Sequence, residues 1–137
     1  MIIEVYNSTE TERLPKKKIT SDLKGVYESE KFSSGGITRV IFVDDMEIHR
    51  LNVEYLNHDY PTDVITFVIN EEVDDFDAEI YISIDTAKKQ AEEYKVSLHN
   101  EVRRLAIHGA LHLVGYDDST DEFRSRMQTK ENYYLER

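Results

Sequence analysis

Cysteine and tryptophan are missing from the 137-residue sequence. The lack of cysteine excludes thiolate nucleophiles, disulfides, iron–sulfur clusters and Cys-rich zinc modules. Long apolar runs are missing too. The longest is Val40-Ile41-Phe42-Val43, from which neither a membrane span nor a secretory signal can be drawn. Positive charge is in deficit, with 17 Lys+Arg against 28 Asp+Glu and a formal net charge of −11. A field of that sign opposes sequence-blind adhesion to nucleic acid but leaves room for a locally basic groove. No internal repeat or low-complexity segment occurs, and the one Gly/Ser-rich stretch, Ser33-Ser34-Gly35-Gly36, is too short for a linker. The expectation is one soluble, cytoplasmic domain spanning residues 1–137, able to bury roughly two-thirds of its unfolded surface without staples.

What is present is a succession of short periodic segments. Residues 1–6 read as a first strand. Pro15 suits the first turn of a helix whose Ile19, Leu23, Val26 and Tyr27 recur at spacings of three and four. Residues 39–43 predict a strand covered on both faces. Asp44 followed by Glu47 predicts a capped helix with Ile48, Leu51 and Tyr55 as its stripe, ended before Pro61. Residues 64–69 and 79–84 predict two strands, forming a hairpin or an edge around the acidic stretch 71–75. Asp85 is the expected cap of a helix carrying Ala87, Ala91, Tyr94 and Leu98. A further helix starts near residues 97–100, buries Val102, Leu105 and Ala106, and stops at a left-handed Gly115. Ser119 with Glu122 predicts the cap of a last helix in which Phe123 and Met127 lie one turn apart. The order βαβαββααα makes the fold α/β or α+β, a mixed sheet of about four strands with helices on both faces.

The chemistry concentrates in His108-Gly109-Ala110-Leu111-His112, followed by Gly115-Tyr116-Asp117-Asp118. Histidines at i and i+4 on a helix share one face and can aim two nitrogens at one ion. The turn at Gly115 can swing Asp118 or Asp117 back over them, making a three-ligand site with an open position, as a catalytic metal requires. The glutamate that follows the first histidine in zinc proteases is absent, because Gly109 stands there. Glu101, two turns before His108, is a candidate to orient that ring, and Asp63 is a candidate acceptor beside the cleft.

Two stretches resemble the bacterial YbeY family of metal-dependent endoribonucleases, the rRNA maturation factors. Residues 51–67, LNVEYLNHDYPTDVITF, are similar to the family's LNxxYRxxDxPTDVLSF, and residues 108–118 are similar to its HGxLHLxGYDH. Ala78-Glu79-Ile80-Tyr81-Ile82-Ser83 resembles a drifted form of its GDIxIS strand. The resemblance places the metal ligands, and with them the catalytic centre, on His108, His112 and Asp118. It implies a divalent ion, zinc first, with manganese, iron or nickel as alternatives. It also implies cleavage of single-stranded rRNA, notably in maturing the small-subunit rRNA 3′ end and in ribosome quality control, with the small subunit and ribosome-associated proteins as partners.

Two departures bear on activity. Asp118 replaces the family's third histidine, and an anionic ligand cancels part of the ion's charge, making activation of water harder. Leu56 stands where the family has arginine, removing a cation that would hold a scissile phosphate. Arg50 and Arg39 are the candidate substitutes. A weakened nuclease is one expectation; the alternative is a non-catalytic ribosome-assembly factor with a vestigial or structural metal site. An iron oxygenase with a His₂-carboxylate site would leave the first motif unexplained.

Overall fold

Alternation along the strands decides which face of the sheet is covered. In β2 (Ile37–Val43), Thr38, Val40 and Phe42 are buried and the residues between them half-buried; in β4 (Asp77–Ser83), Ala78, Ile80 and Ile82 follow the same rule. Their buried face meets α1 (Lys16–Ser29) and α4 (Leu98–Leu113), whose Ile19, Leu23, Val26, Leu105, Ala106 and Ala110 complete the main core. Among the described residues the opposite face is closed at one end, where Ile48 and Leu51 of α2 (Asp45–Leu56) pack on Val43 and Ile65. The expected cover on both faces of residues 39–43 is present, less complete on this second face, where Arg39 and Ile41 are half-buried.

The computed structural model describes residues 1–9 and 12–137. Strands β1 (Ile2–Asn7), β2, β3 (Val64–Asn70) and β4 form one mixed sheet in the order β1-β2-β4-β3. β1 and β4 both lie parallel to β2, and β3 is an antiparallel edge joined to β4 by the acidic connection with its short turn of 3₁₀ helix. The remaining helices are α3 (Ile84–Tyr94) and α5 (Asp121–Leu135). The element order and the hairpin match the sequence reading.

Two caps sit elsewhere than the sequence predicts. β4 runs directly into α3, so its last residue, Ser83, accepts from the Thr86 amide at 3.2 Å, while Asp85 accepts from the Asp45 amide at 2.9 Å and ties two helix starts together. At α5 the cap is Thr120, accepting from the Phe123 amide, because the Ser119 hydroxyl donates to Asp117 instead. Tyr55, Tyr94 and Phe123, read as stripe residues, are exposed, although Met127 is buried.

Two glycines fix where α4 lies. A Cβ at Gly109 would stand 2.7 Å from Ile80 Cγ2, so the helix approaches β4 more closely than any other residue allows. Gly115 adopts φ 110°, and the amides of Gly115 and Tyr116 bond to the carbonyls of His112 and Leu111 in a left-handed helix stop. Arg103 of α4 makes a two-pronged bond to buried Asp22 of α1, at 2.7 and 3.1 Å, so it belongs to the core and not to a solvated basic face.

Candidate metal centre

His108 and His112 leave α4 one turn apart on one side of the helix, and the stop at Gly115 returns the chain over them. Asp118 Oδ2 lies 3.5 Å from Nε2 of each histidine, and the two Nε2 atoms are 3.1 Å apart. The neighbouring Asp117 does not compete: both its carboxylate oxygens are taken by Ser119, which also draws its pKa down. Of the two aspartates, it is Asp118 that the turn brings against the histidines.

The far side of each ring fixes the near side. His108 Nδ1 is 2.7 Å from Glu131 Oε2, and His112 Nδ1 is 3.1 Å from the Tyr116 carbonyl. A carboxylate and a carbonyl only accept, so each Nδ1 carries the proton and each Nε2 presents a lone pair. Two lone pairs and a carboxylate oxygen therefore converge, an arrangement that suits a cation. With bonds of ~2.1 Å to nitrogen and oxygen, a tetrahedral ion has ligand-to-ligand edges of roughly 3.4 Å. The separations here fit that size, and His108, His112 and Asp118 form the one such cluster among the described residues.

Burial by itself would lower the pKa of His108, but the bond to Glu131 and the fields of Glu131, Asp118 and Asp63 outweigh it and hold the imidazole above its ordinary value. The three groups sit between two arms of an open cleft. One, of about 540 Å³, is bounded by Glu101, Arg104, Arg124 and Tyr94; the other, of about 320 Å³, by Leu56, His58 and Tyr60. Asp63 and His108 border both.

Three sequence expectations change. Glu101 makes no bond to His108; the residue in that role is Glu131, on a helix 23 positions later. Glu101 instead lies buried in the cleft wall, its Oε1 without a hydrogen-bond partner among the described residues, and burial pushes its carboxyl up to about 7. Arg50 is spent on Glu47 and Glu54 along the exposed face of α2, and Arg39 on Asp77 and Glu4, so neither replaces the missing cation. The cations that do border the site are Arg104, bonded to Glu131 and Asn132, and Arg124, bonded to Asp121 and the Asp118 carbonyl. Asp63 reaches the cleft as expected, held by the Val64 amide and Gln90. Of the missed residues, Glu131 left a signal: it stands four after Met127, on the buried face of α5.

Fold and site together define an α+β domain with an open two-histidine, one-carboxylate centre. The profile of the family described as Endoribonuclease YbeY matches residues 4–137. The chain is 42% identical over 135 residues to the Endoribonuclease YbeY of Chlorobium phaeobacteroides strain BS1, covering 98% of this chain and 96% of the relative. It is 43% identical over 129 residues to that of Desulforamulus reducens, covering 88% and 84%. A protein of Thermotoga maritima, solved in solution, aligns with a TM-score of 0.63 at 29% identity over 98% of this chain and 87% of that one. The chain belongs to the Endoribonuclease YbeY family.

Proposed function

We propose that this protein is a metal-dependent endoribonuclease that cuts single-stranded RNA, acting in the cytoplasm on the small-subunit rRNA 3′ end and in ribosome quality control. The observation that carries the reading is the convergence of His108 Nε2, His112 Nε2 and Asp118 Oδ2, with both rings locked from behind by Glu131 and the Tyr116 carbonyl. These three residues would hold one divalent ion, zinc in the first place, with manganese, iron or nickel as alternatives, of which the carboxylate, by hardening the site, favours manganese and iron. When bound, such an ion would supply a Lewis acid for a phosphoryl oxygen and would lower the pKa of a water. The protein's own residues do the rest. Arg104 and Arg124 attract the phosphates of the strand into the larger arm, offsetting locally the net charge of −11. Tyr94 in that arm, and the stacked His58 and Tyr60 rings in the other, offer faces on which unpaired bases can stack.

The test is cleavage of a short single-stranded RNA by zinc- or manganese-loaded protein, beside chelator-treated protein and His112→Ala. Metal-dependent cleavage lost in His112→Ala is the expected result. Leu56 lines the arm that also holds His112 and Asp118, where an arginine would clamp a phosphate, and this favours a second reading: a ribosome-assembly factor that binds metal without cutting. Folded, metal-loaded protein that cleaves no faster than His112→Ala would establish that second reading.

A further inference from the structure

Glu30 is placed where helix physics disfavours it. It caps the C-terminus of α1, an end that carries partial negative charge and has no basic residue in its last turn, and its side chain is only 14% exposed. A half-sequestered anion at that position needs compensation from elsewhere in the fold. Three bonds from outside α1 converge on it: the Tyr116 hydroxyl donates to Oε1 at 2.7 Å, Lys130 Nζ to Oε2 at 3.2 Å, and the Tyr134 hydroxyl to the same Oε2; Lys130 also lies 5.9 Å above the Tyr116 ring. Burial would raise the carboxyl's pKa, but these donors outweigh it and hold Glu30 below its ordinary value, hence ionised at neutral pH.

Tyr116 is what makes this arrangement matter to the site. Its hydroxyl is fastened to Glu30, while its carbonyl accepts from His112 Nδ1 at 3.1 Å and its amide bonds to the Leu111 carbonyl at 2.9 Å. Tyr116 therefore lies between two ligands, four residues after His112 and two before Asp118, in a turn whose entry at Gly115 is left-handed. The residue is thus held at the tip of its side chain by Glu30 and at its backbone by His112 and Leu111, so the turn between the two ligands is anchored to the end of α1 through Tyr116. A shift of the Tyr116 carbonyl would release the proton position of His112 and displace Asp118 together.

We propose that Glu30 is a positioning residue for the metal centre, acting through Tyr116 to set the orientation of His112 and the reach of Asp118. This rests on the metal-binding reading given above. Residues that orient a ligating histidine from behind change metal affinity by ~10–100-fold when removed, and a residue one step further out belongs at the lower end. Glu30→Ala and Tyr116→Phe are each expected to weaken zinc binding by about tenfold. Because both cut the same link, the double variant is expected to be no weaker than either single one. Tyr134→Phe removes another partner of Glu30 without breaking the link to Tyr116; it is expected to lower the melting temperature and leave zinc affinity within twofold. Glu30→Gln, which keeps an acceptor for the Tyr116 hydroxyl, is expected to recover most of the affinity lost in Glu30→Ala.

The measurement is zinc affinity of the full chain by competition with a chromophoric chelator, together with the visible absorption of the cobalt-loaded protein. A purely structural role for Glu30 would move the melting temperature and not the cobalt spectrum. If Glu30→Ala does not fold, Tyr116→Phe, which loses one hydroxyl, decides the matter. Unchanged affinity and an unchanged cobalt spectrum in folded Tyr116→Phe overturn the proposal. Wild-type protein that binds no zinc or cobalt overturns the metal reading itself, a separately visible outcome.

Discussion

Glu131 Oε2 accepts a hydrogen bond from His108 Nδ1 at 2.7 Å while its other oxygen takes Arg104 at 3.0 Å. The last helix thus reaches across to hold a ring that belongs to α4 and, with the same carboxylate, fixes a cation at the rim of the cleft. Glu131→Ala should weaken zinc binding about 10–100-fold, with Glu131→Gln milder because its amide oxygen still accepts. Chelator competition on folded protein measures this. An affinity equal to wild type would show that packing of α4 alone orients His108.

Asp118 departs from the third histidine of the family motif, and its Oδ2 stands equally far from both histidines. Asp118→His removes a negative charge from the ligand set, so water is activated at lower pH and the acid limb of the pH–rate profile for RNA cleavage moves down. Asp118→Ala should abolish cleavage. A profile that does not move in Asp118→His would mean that the third ligand's charge does not govern the rate.

Glu101 links burial to pH. Its carboxyl, ordinarily near 4.5, is pushed up to about 7 chiefly by burial, with Asp63 and Glu131 adding to the effect and Arg104 opposing it. The folded state therefore holds this proton more tightly than the unfolded chain, and stability must fall as pH rises from about 4.5 through 7, by roughly 3 kcal/mol for this group. Glu101→Gln cannot ionise, so the difference in urea stability between wild type and variant should grow with pH in the variant's favour across that window. Parallel curves in metal-free protein would refute the assignment.

Arg124 borders the cleft and Arg50 does not. Arg124→Ala should weaken single-stranded RNA binding by metal-free protein and reduce the slope of log affinity against log salt by about 0.7, whereas Arg50→Ala should change neither. Leu56→Arg places a cation in the smaller arm, beside His112 and Asp118. It should raise the cleavage rate by about tenfold or more if phosphate clamping is what the wild type lacks. Equal slopes for Arg124→Ala and wild type would remove Arg124 from the binding surface.

Much of this is legible in the sequence alone, and the parts that are not have physical reasons. The i, i+4 histidines, the Gly115 stop and the elements flanking them follow from local rules, because helix period and left-handed backbone act over a few residues. The partner of His108 did not follow, since its ring nitrogen finds a carboxylate 23 residues away and nothing local marks that pairing beyond an acid on the buried face of α5. Glu101 looked equally suited by spacing, yet the cleft wall took it. Arg50 was drawn off by Glu47 and Glu54 at i−3 and i+4, a competition that was readable in the sequence. The moved caps at Ser83 and Thr120 are one- or two-residue shifts set by how a strand or an Asx turn feeds its helix.

Among the described residues the antiparallel strand β3 has no strand paired on its outer side, and near its end Val68 and Ile69 are 44% and 59% exposed. Such an edge is a template on which a second chain can add a strand. Directly after it come Glu71, Glu72, Asp74 and Asp75. Two copies meeting edge to edge would bring these tracts together, and their repulsion acts over the ~8 Å screening length of physiological salt. The acidic connection between β3 and β4 is thus a guard against self-association: concentrated protein should stay dispersed at low ionic strength and begin to aggregate as salt rises or as those four charges are neutralised.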